Sequence, residues 1–202
     1  MTIQLSDHNE TFTFIPAALC FASGQRINVF ADLKSPRTLR ETLTRPAYAR
    51  FAPQFSDLPP HLLDQPLGTA LKQLKDTHDH RYALLLNRYG DSIFCAFTLC
   101  DPTAQKQRGL YCFTLHKTPM YIGRCNDSFQ KRIDQGYGRI SPKNCYVDGQ
   151  ATNCHLNALI ANHPQEAIGL YVCALVDKRK IDESEQALIA VYQPEWNIMG
   201  RK

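Results

Sequence analysis

The chain has 202 residues, 44% of them hydrophobic and 10% aromatic, with 23 Lys or Arg against 19 Asp or Glu. This composition supports a packed core, in one large domain or two small ones. No apolar run approaches the roughly 20 residues that span a bilayer, and the N-terminus lacks the basic start and apolar core of a secretion signal. We therefore expect a cytoplasmic globular protein without a membrane partner.

The first half of the chain has a mixed pattern that is interrupted by prolines. Residues 62–74 predict a helix, and residues 82–86 with 92–99 predict a hairpin that turns at residues 89–91. The polar residues 101–108 then suggest a boundary. We predict a mixed α/β N-terminal region over residues 1–105 and a second domain over residues 106–202.

Residues 110–115 and 120–122 predict a second hairpin, because β-compatible side chains alternate in the first segment and residues 116–119 provide a turn. With the turn centred near His116, Tyr111 and Tyr121 lie opposite each other and point to one face of the sheet. Two phenols would then share one surface.

Residues 127–135 predict a helix, since residues 126–128 all have side chains that can cap its N-terminus. Phe129 and Ile133 lie one turn apart, and Arg132 lies at the edge of their apolar stripe. A guanidinium in that position pairs with a carboxylate or binds a phosphate, because an unpaired buried charge is costly. The alternative is an arginine that snorkels from a core helix to solvent.

Residues 136–157 are rich in Gly, Asn and Ser and predict a long functional loop. A helix restarts at Asn157, and residues 168–175 alternate as a third strand. The predicted order of the second domain is therefore two strands, a helix, a loop, a helix, a strand and a final helix.

The final helix carries an apolar stripe that includes Ile181, Leu188 and Ile189, and Glu185 lies within this stripe. A carboxylate in such a position requires a compensating cation, and a divalent metal is one candidate. The alternative is a capping box, in which Asp182 begins the helix and Glu185 reaches back to it.

The eight cysteines include no Cys-x-x-Cys pair. Without a signal peptide, they predict reduced thiols that pack as small apolar side chains. Cys145, Cys154 and His155 lie close in sequence but lack the paired spacing of a structural zinc site.

Two tripeptides, Gly-Leu-Tyr at residues 109–111 and Tyr-Ile-Gly at residues 121–123, are followed in order by Arg132, Glu185 and the sequence Pro-Glu-Trp-Asn at residues 194–197. This succession resembles the GIY-YIG nuclease superfamily. The resemblance covers only residues 106–202.

The resemblance implies an α/β (α+β) fold, a small three-stranded antiparallel sheet flanked by helices, in which Gly109, Gly123 and Asn197 have structural roles. One departure from the family pattern concerns the position four residues after the helical arginine, which often carries His or Tyr. Here it is Gly136, and Tyr137 is the candidate substitute.

The activity that the resemblance implies is metal-dependent hydrolysis of DNA phosphodiester bonds. Glu185 would hold a single Mg²⁺ or Mn²⁺, and Arg132 would neutralise the developing charge. Tyr111 would orient or deprotonate the attacking water, with Tyr121 in support. Because a phenol has a reference pKa of about 10, proton removal by Tyr111 requires nearby cations or metal-bound water.

The whole positive excess lies in residues 106–202, which hold thirteen Lys or Arg against nine Asp or Glu. Basic residues are candidates for phosphate contacts and polar loop residues for base contacts. The predicted DNA contacts are Arg124, Lys131, Arg139 and Lys143, which are basic, and Gln150, Asn153 and His155 in the loop. The alternatives are a solvated basic face and loop side chains that bond their own backbone.

The short chain favours a sequence-specific type II restriction endonuclease within the family, with residues 1–105 in DNA recognition or dimerisation. A homodimer is expected, because one metal site cuts one strand of a duplex. The alternatives are a structure-specific or mobile-element nuclease and, from another class, a catalytically inert nucleic-acid-binding module.

Overall fold

The computed structural model describes residues 2–198, which form two compact units, each assembled from separate stretches of sequence. The sheet unit contains the residues up to Gly24, Cys95–Arg139 and the residues from Leu159 onwards. The helical unit contains Gln25–Phe94 and Ile140–Ala158. This division does not follow the boundary that we placed between residues 105 and 106.

The strands of the described residues are β1 (Ile3–Ser6), β2 (Thr11–Ala17), β3 (Leu19–Phe21), β4 (Phe97–Leu99), β5 (Gly109–Leu115), β6 (Thr118–Cys125) and β7 (Ile168–Ala174). Their α-helices are α1 (Leu39–Leu43), α2 (Pro60–Leu63), α3 (Leu67–Asp76), α4 (Pro102–Gln105), α5 (Ala151–Ala161) and α6 (Lys178–Tyr192). A π-helix spans Lys131–Gly138, and 3-10 helices span Val29–Asp32, Ala49–Phe55, His80–Leu85, Pro142–Cys145 and Gln165–Ala167.

The sheet unit is built on an antiparallel five-stranded sheet with the strand order β1-β2-β7-β5-β6, and β3 pairs separately with β4. The prediction of a small three-stranded sheet flanked by helices is therefore wrong. β2 pairs with β7, with Ile15 opposite Val172, and covers the edge that β7 would otherwise leave open. Phe12 and Phe14 are buried between exposed neighbours in β2, which is the alternation of a strand with one face on a core.

The two faces of this sheet pack against different elements. On one face, Ile181, Leu188 and Ile189 of α6 are buried with residues that include Leu110 and Ile122. Because neighbouring side chains of a strand point to opposite faces, Tyr111 lies on the other face. There its ring contacts those of Phe113 and Phe129, and Phe113 in turn contacts Tyr137.

In the helical unit, prolines set where the helices begin. Pro60 stands in the first turn of α2 and Pro66 directly precedes α3, so the helix predicted over residues 62–74 is two short helices. The unit has its own core of buried side chains, among them Phe30, Phe55 and Tyr146.

Two other predictions for the helical unit and its flanks are wrong. The hairpin over residues 82–99 does not form, because His80–Leu85 is a 3-10 helix and β4 pairs with β3. A short apolar run is compatible with a strand or a buried helical turn, and periodicity alone does not separate them. The long loop over residues 136–157 is shorter than predicted, since α5 already begins at Ala151.

A disulfide joins Cys20 of β3 to Cys100, which directly follows β4. The prediction that all the cysteines are reduced is therefore wrong for this pair. The pairing of β3 with β4 brings together two residues that are far apart in sequence, which sequence spacing does not reveal. The remaining cysteines are buried and lie outside this disulfide. Among residues 2–198, none of the helices combines the length and apolar character needed to traverse a bilayer.

Candidate active site

The hairpin of β5 and β6 turns at His116 and Lys117, both of which have positive φ angles, of 49° and 71°. Positive φ at both central residues is the geometry that matches the twist of a two-residue hairpin. A register shift between Phe113 and Thr114 places Tyr111 opposite Gly123, not opposite Tyr121 as predicted. The shift leaves Tyr111 and Tyr121 on one face, with ring centroids 6.2 Å apart.

Gly123 and Gly109 both stand where a neighbouring group comes too close to leave room for a side chain. A Cβ at Gly123 would lie 2.4 Å from the Tyr111 hydroxyl oxygen and 2.5 Å from its Cζ, so the phenol ring lies directly across this glycine. Gly109 has a φ of 141° and a Cβ there would lie 2.1 Å from the carbonyl oxygen of Cys173 in β7. The first glycine therefore makes room for the ring, and the second lets β5 pair with β7.

The helical segment after the hairpin begins near Phe129, and Ser128 accepts a hydrogen bond from the backbone N–H of Lys131 at 3.3 Å. From Lys131 to Gly138 it is a π-helix, in which residues five apart lie on successive turns. Arg132 and Tyr137 have this spacing, and Arg132 Cζ lies 4.5 Å from the centre of the Tyr137 ring. The wider helical turn therefore places Tyr137, one residue later than the family pattern, beside the arginine.

Three phenol hydroxyls meet beside Arg132. The Tyr137 hydroxyl lies 2.8 Å from that of Tyr111 and 3.1 Å from that of Tyr121. Arg132 Nε donates to the Tyr111 hydroxyl at 3.1 Å, and Nη2 donates to the Tyr137 hydroxyl. Two bonds between hydroxyls use two of the three phenolic hydrogens, so the third remains for another acceptor. We call these four side chains the phenol–arginine cluster.

Tyr111 and Tyr137 of this cluster are protonated at neutral pH. Burial raises the pKa of Tyr111 above its ordinary value, and the neighbouring Tyr121 phenol raises it further, although Arg132 lowers it in part. Burial likewise raises the pKa of Tyr137. Of the two roles that the sequence left open for Tyr111, this environment favours orientation over proton removal.

Arg132 is partly buried and forms no ion pair with any carboxylate among the described residues. Within residues 2–198, its Nη1 donates no hydrogen bond, and a Cβ at Gly136 would lie 3.4 Å from this nitrogen. A longer side chain at position 136 would cover Nη1, so Gly136 leaves one edge of the guanidinium open. A partly buried guanidinium that forms no ion pair among the described residues, with hydroxyls and an aromatic face beside it, is suited to contact an anion.

Glu185 lies in the second turn of α6, because Asp177 caps the helix by accepting from the backbone N–H of Arg179. Asp182 therefore lies inside the helix, and the capping-box alternative for Glu185 is wrong. Glu185 Oε2 forms an ion pair with Arg124 Nε at 2.8 Å. Burial raises the pKa of Glu185, although Arg124 and Arg132 lower it in part.

Arg124 also pairs with Asp182, whose carboxylate accepts from Asn126 Nδ2 at 3.0 Å. These bonds hold the pKa of Asp182 below its ordinary value, the bond from Asn126 foremost. Neither Asp182 nor Asn126 was among the site residues predicted from the sequence. A usable signal was present, because Asp182 precedes Glu185 by three residues and so lies on the same face of a helix.

Residues 194–197 form hydrogen bonds to the backbone of the edge strand β6. The Trp196 backbone N–H donates to the carbonyl of Met120 at 2.8 Å. The Asn197 side chain accepts from the N–H of Ile122 at 2.9 Å and donates to its carbonyl at 2.8 Å. Asn197 thus bonds both backbone groups of the residue between Tyr121 and Gly123.

The predicted DNA contacts fall into two groups. Arg124, Lys131 and Arg139 belong to the sheet unit, whereas Lys143, Gln150, Asn153 and His155 belong to the helical unit.

Several of these residues are already engaged within the chain. Lys131 pairs with Asp127 one helical turn away. Asn153 is buried and donates to Gln150 Oε1 at 2.7 Å, so these two predicted base contacts are bonded to each other in this structure. The ring of His155 lies 4.5 Å from that of Tyr89.

Glu185 is the one predicted metal ligand. Among residues 2–198, no three His, Cys, Asp or Glu side chains gather as a metal site. A partly buried carboxylate nevertheless suits a hard divalent cation whose other positions are filled by water and phosphate. Comparisons with protein-family models, with curated proteins and with solved structures find no significant match to the chain.

Proposed function

We propose that this protein is a metal-dependent endonuclease that hydrolyses DNA phosphodiester bonds and is related to the GIY-YIG nucleases. The observation that carries the proposal is Arg132, a partly buried guanidinium with no carboxylate partner in residues 2–198 and an open Nη1 edge. A guanidinium of this kind fits the nonbridging oxygens of a phosphate.

In this proposal, Arg132 contacts the phosphate and stabilises the charge that grows on its oxygens. Tyr111 and Tyr137 are fully buried and bond the guanidinium from one side, so we assign them the role of positioning Arg132. Tyr121 completes this support through Tyr137.

Glu185 would hold a single Mg²⁺ or Mn²⁺, which would polarise the phosphate and stabilise the departing oxygen. Hydrolysis adds water across the phosphorus–oxygen bond: one proton of the attacking water leaves to solvent, and the departing oxygen takes up another.

We further propose a restriction-type enzyme that acts as a homodimer, since one such site cuts one strand. Support comes from the sequence resemblance and from exposed basic and polar residues of both units, which include Arg139, Lys143 and Gln150. The oligomeric state is measured directly by light scattering on the purified protein, with and without duplex DNA.

The central test is plasmid cleavage in Mg²⁺ by the parent protein and by two variants of the phenol–arginine cluster. Arg132→Lys keeps the charge but loses the planar fork, and we expect a loss of roughly 100-fold or more. Tyr111→Phe removes one bond to Arg132 and should lower kcat by about tenfold or more. For both variants, duplex affinity should stay within a few-fold of the parent value.

Tyr171→Phe is the matched control, because Tyr171 lies in β7 and makes no contact with the phenol–arginine cluster in the described residues. It should cut at the parent rate. Equal losses in all three variants, together with lower unfolding temperatures, would show that the phenols serve only stability. DNA binding without cleavage in either Mg²⁺ or Mn²⁺ would instead identify a binding module.

A further inference from the structure

The guanidinium of Arg124 forms ion pairs with two carboxylates of α6. Its Nε lies 2.8 Å from Glu185 Oε2, and its Nη1 pairs with Asp182. Asn126 fixes Asp182 in turn by donating to the same carboxylate. Contact of Arg124 with a DNA phosphate, as predicted from its charge, therefore requires the loss of at least one of these ion pairs.

The charges around Glu185 balance in the protein alone. With both carboxyls ionised, Asp182 and Glu185 contribute two formal negative charges, and Arg124 contributes one positive charge. Arg132 acts on Glu185 as a second cation. Two negative and two positive formal charges leave no net attraction for a divalent cation. A phosphate bound at Arg132 would make the same set of groups net negative.

From this balance we infer that Arg124 makes cation binding at Glu185 dependent on nucleic acid. The inference rests on the proposed function of Glu185 and Arg132. In the free protein, Arg124 neutralises Glu185 and keeps its affinity for a divalent cation low. The phosphate of a bound duplex supplies the missing negative charge, so the cation and the duplex raise each other's affinity by the same factor.

Arg124 is in this view a positioning residue for Glu185, and it also limits where the cation binds. Asp182 and Glu185 share the one guanidinium of Arg124, so removal of Arg124 leaves both carboxylates without this ion pair. A lysine at this position has a single ammonium group and lacks the fork that bonds two carboxylates with fixed geometry.

The test is Mn²⁺ binding, measured by electron paramagnetic resonance on the full-length protein with and without sheared duplex DNA. Phosphate contacts are independent of sequence, so sheared DNA suffices. The parent protein should bind Mn²⁺ at least about tenfold more tightly when DNA is present. Arg124→Gln should bind Mn²⁺ at least about tenfold more tightly than the parent without DNA, and DNA should then add little.

Arg179→Gln is the matched control. Arg179 lies in α6 and pairs with Glu183 one turn away, so the variant loses the same charge at a position six residues before Glu185. Its Mn²⁺ affinity should equal that of the parent. Asp182→Asn should change the affinity in the opposite direction to Arg124→Gln, because it removes a negative charge. Thermal unfolding of each variant confirms that it is folded.

Two results would overturn the inference. Equal Mn²⁺ affinity of the parent and Arg124→Gln without DNA would show that Arg124 does not compete with the cation. A weaker duplex affinity of Arg124→Gln with unchanged Mn²⁺ binding would make Arg124 a phosphate contact. Failure of the proposed metal site gives a different result. If Glu185 is not a metal ligand, Glu185→Gln will bind Mn²⁺ as tightly as the parent.

Discussion

Gly123→Ala tests whether the glycine of the second tripeptide exists to make room for Tyr111. The new Cβ would lie 2.4 Å from the Tyr111 hydroxyl oxygen, 2.5 Å from Cζ and 2.7 Å from Cε2. Carbon atoms in contact are separated by about 3.5–4.0 Å, so the ring must move by roughly 1 Å. The ring is fully buried and contacts Phe113 and Phe129, so it has no free space to move into.

The cost has two parts. Overpacking of a core costs about 1–3 kcal/mol, and displacement of the ring weakens its hydrogen bonds to Tyr137 and Arg132, each worth about 1 kcal/mol. We expect a loss of about 2–4 kcal/mol in unfolding free energy. Typical domains have about 5–15 kcal/mol, so the variant should still fold. Cleavage activity should also fall, because the displaced Tyr111 ring no longer holds Arg132 in position.

Urea unfolding of the purified variants measures this cost. Gly136→Ala is the control, since its Cβ comes no closer than 3.4 Å to another atom and its stability should change by less than about 1 kcal/mol. A double-mutant cycle with Tyr111→Leu isolates the clash. If Gly123→Ala is as stable as the parent, or costs the same with and without the Tyr111 ring, then the steric account of this glycine is incorrect.

Three further predictions follow from the site and the loops around it. Glu185→Gln should abolish Mg²⁺-dependent cleavage while duplex binding persists, and it should not destabilise the protein at pH 7. The pKa of Glu185 is raised in the folded state, so its contribution to stability is fully present below the unfolded pKa and is lost as pH rises through the folded pKa. In urea titrations over this pH range, the unfolding free energy of the Gln variant should therefore increase relative to that of the parent. A variant that is less stable at every pH would refute this. Asn197→Ala should cost about 2 kcal/mol or more, because two buried backbone groups of Ile122 lose their partner, and unchanged urea unfolding would exclude this role. Asn153→Ala should lower stability without changing the cut sequences in a randomised DNA library, whereas Gln150→Ala should relax them; relaxation by Asn153→Ala alone would contradict its burial.

A fragment of residues 102–202 is not a suitable test of the proposed nuclease activity in isolation. β2 pairs with β7 and β1 pairs with β2, so this fragment lacks two strands of its own sheet. It would expose the edge of β7, which is a template for aggregation. Loss of activity in the fragment would therefore say nothing about DNA recognition by the N-terminal half.

Local patterns in the sequence determined the elements that depend on near neighbours. The β-branched and aromatic alternation of residues 110–115 predicts β5, and the apolar stripe around Glu185 predicts α6. Gly109 and Gly123 were selected by their resemblance to a known motif. The physical need for each glycine became visible only when a ring and a neighbouring strand were placed beside it.

The tertiary structure decided which partners those elements have. β2 joins β7 across more than 150 positions of sequence, and no local periodicity encodes which edge a strand will choose. The position of Tyr137 beside Arg132 depends on a π-helix that spacing rules for an α-helix do not anticipate. Arg124 was predicted to bind phosphate from its charge alone, but folding brings it between Asp182 and Glu185. Charge is a property of the sequence, whereas the partner of a charge is set by packing.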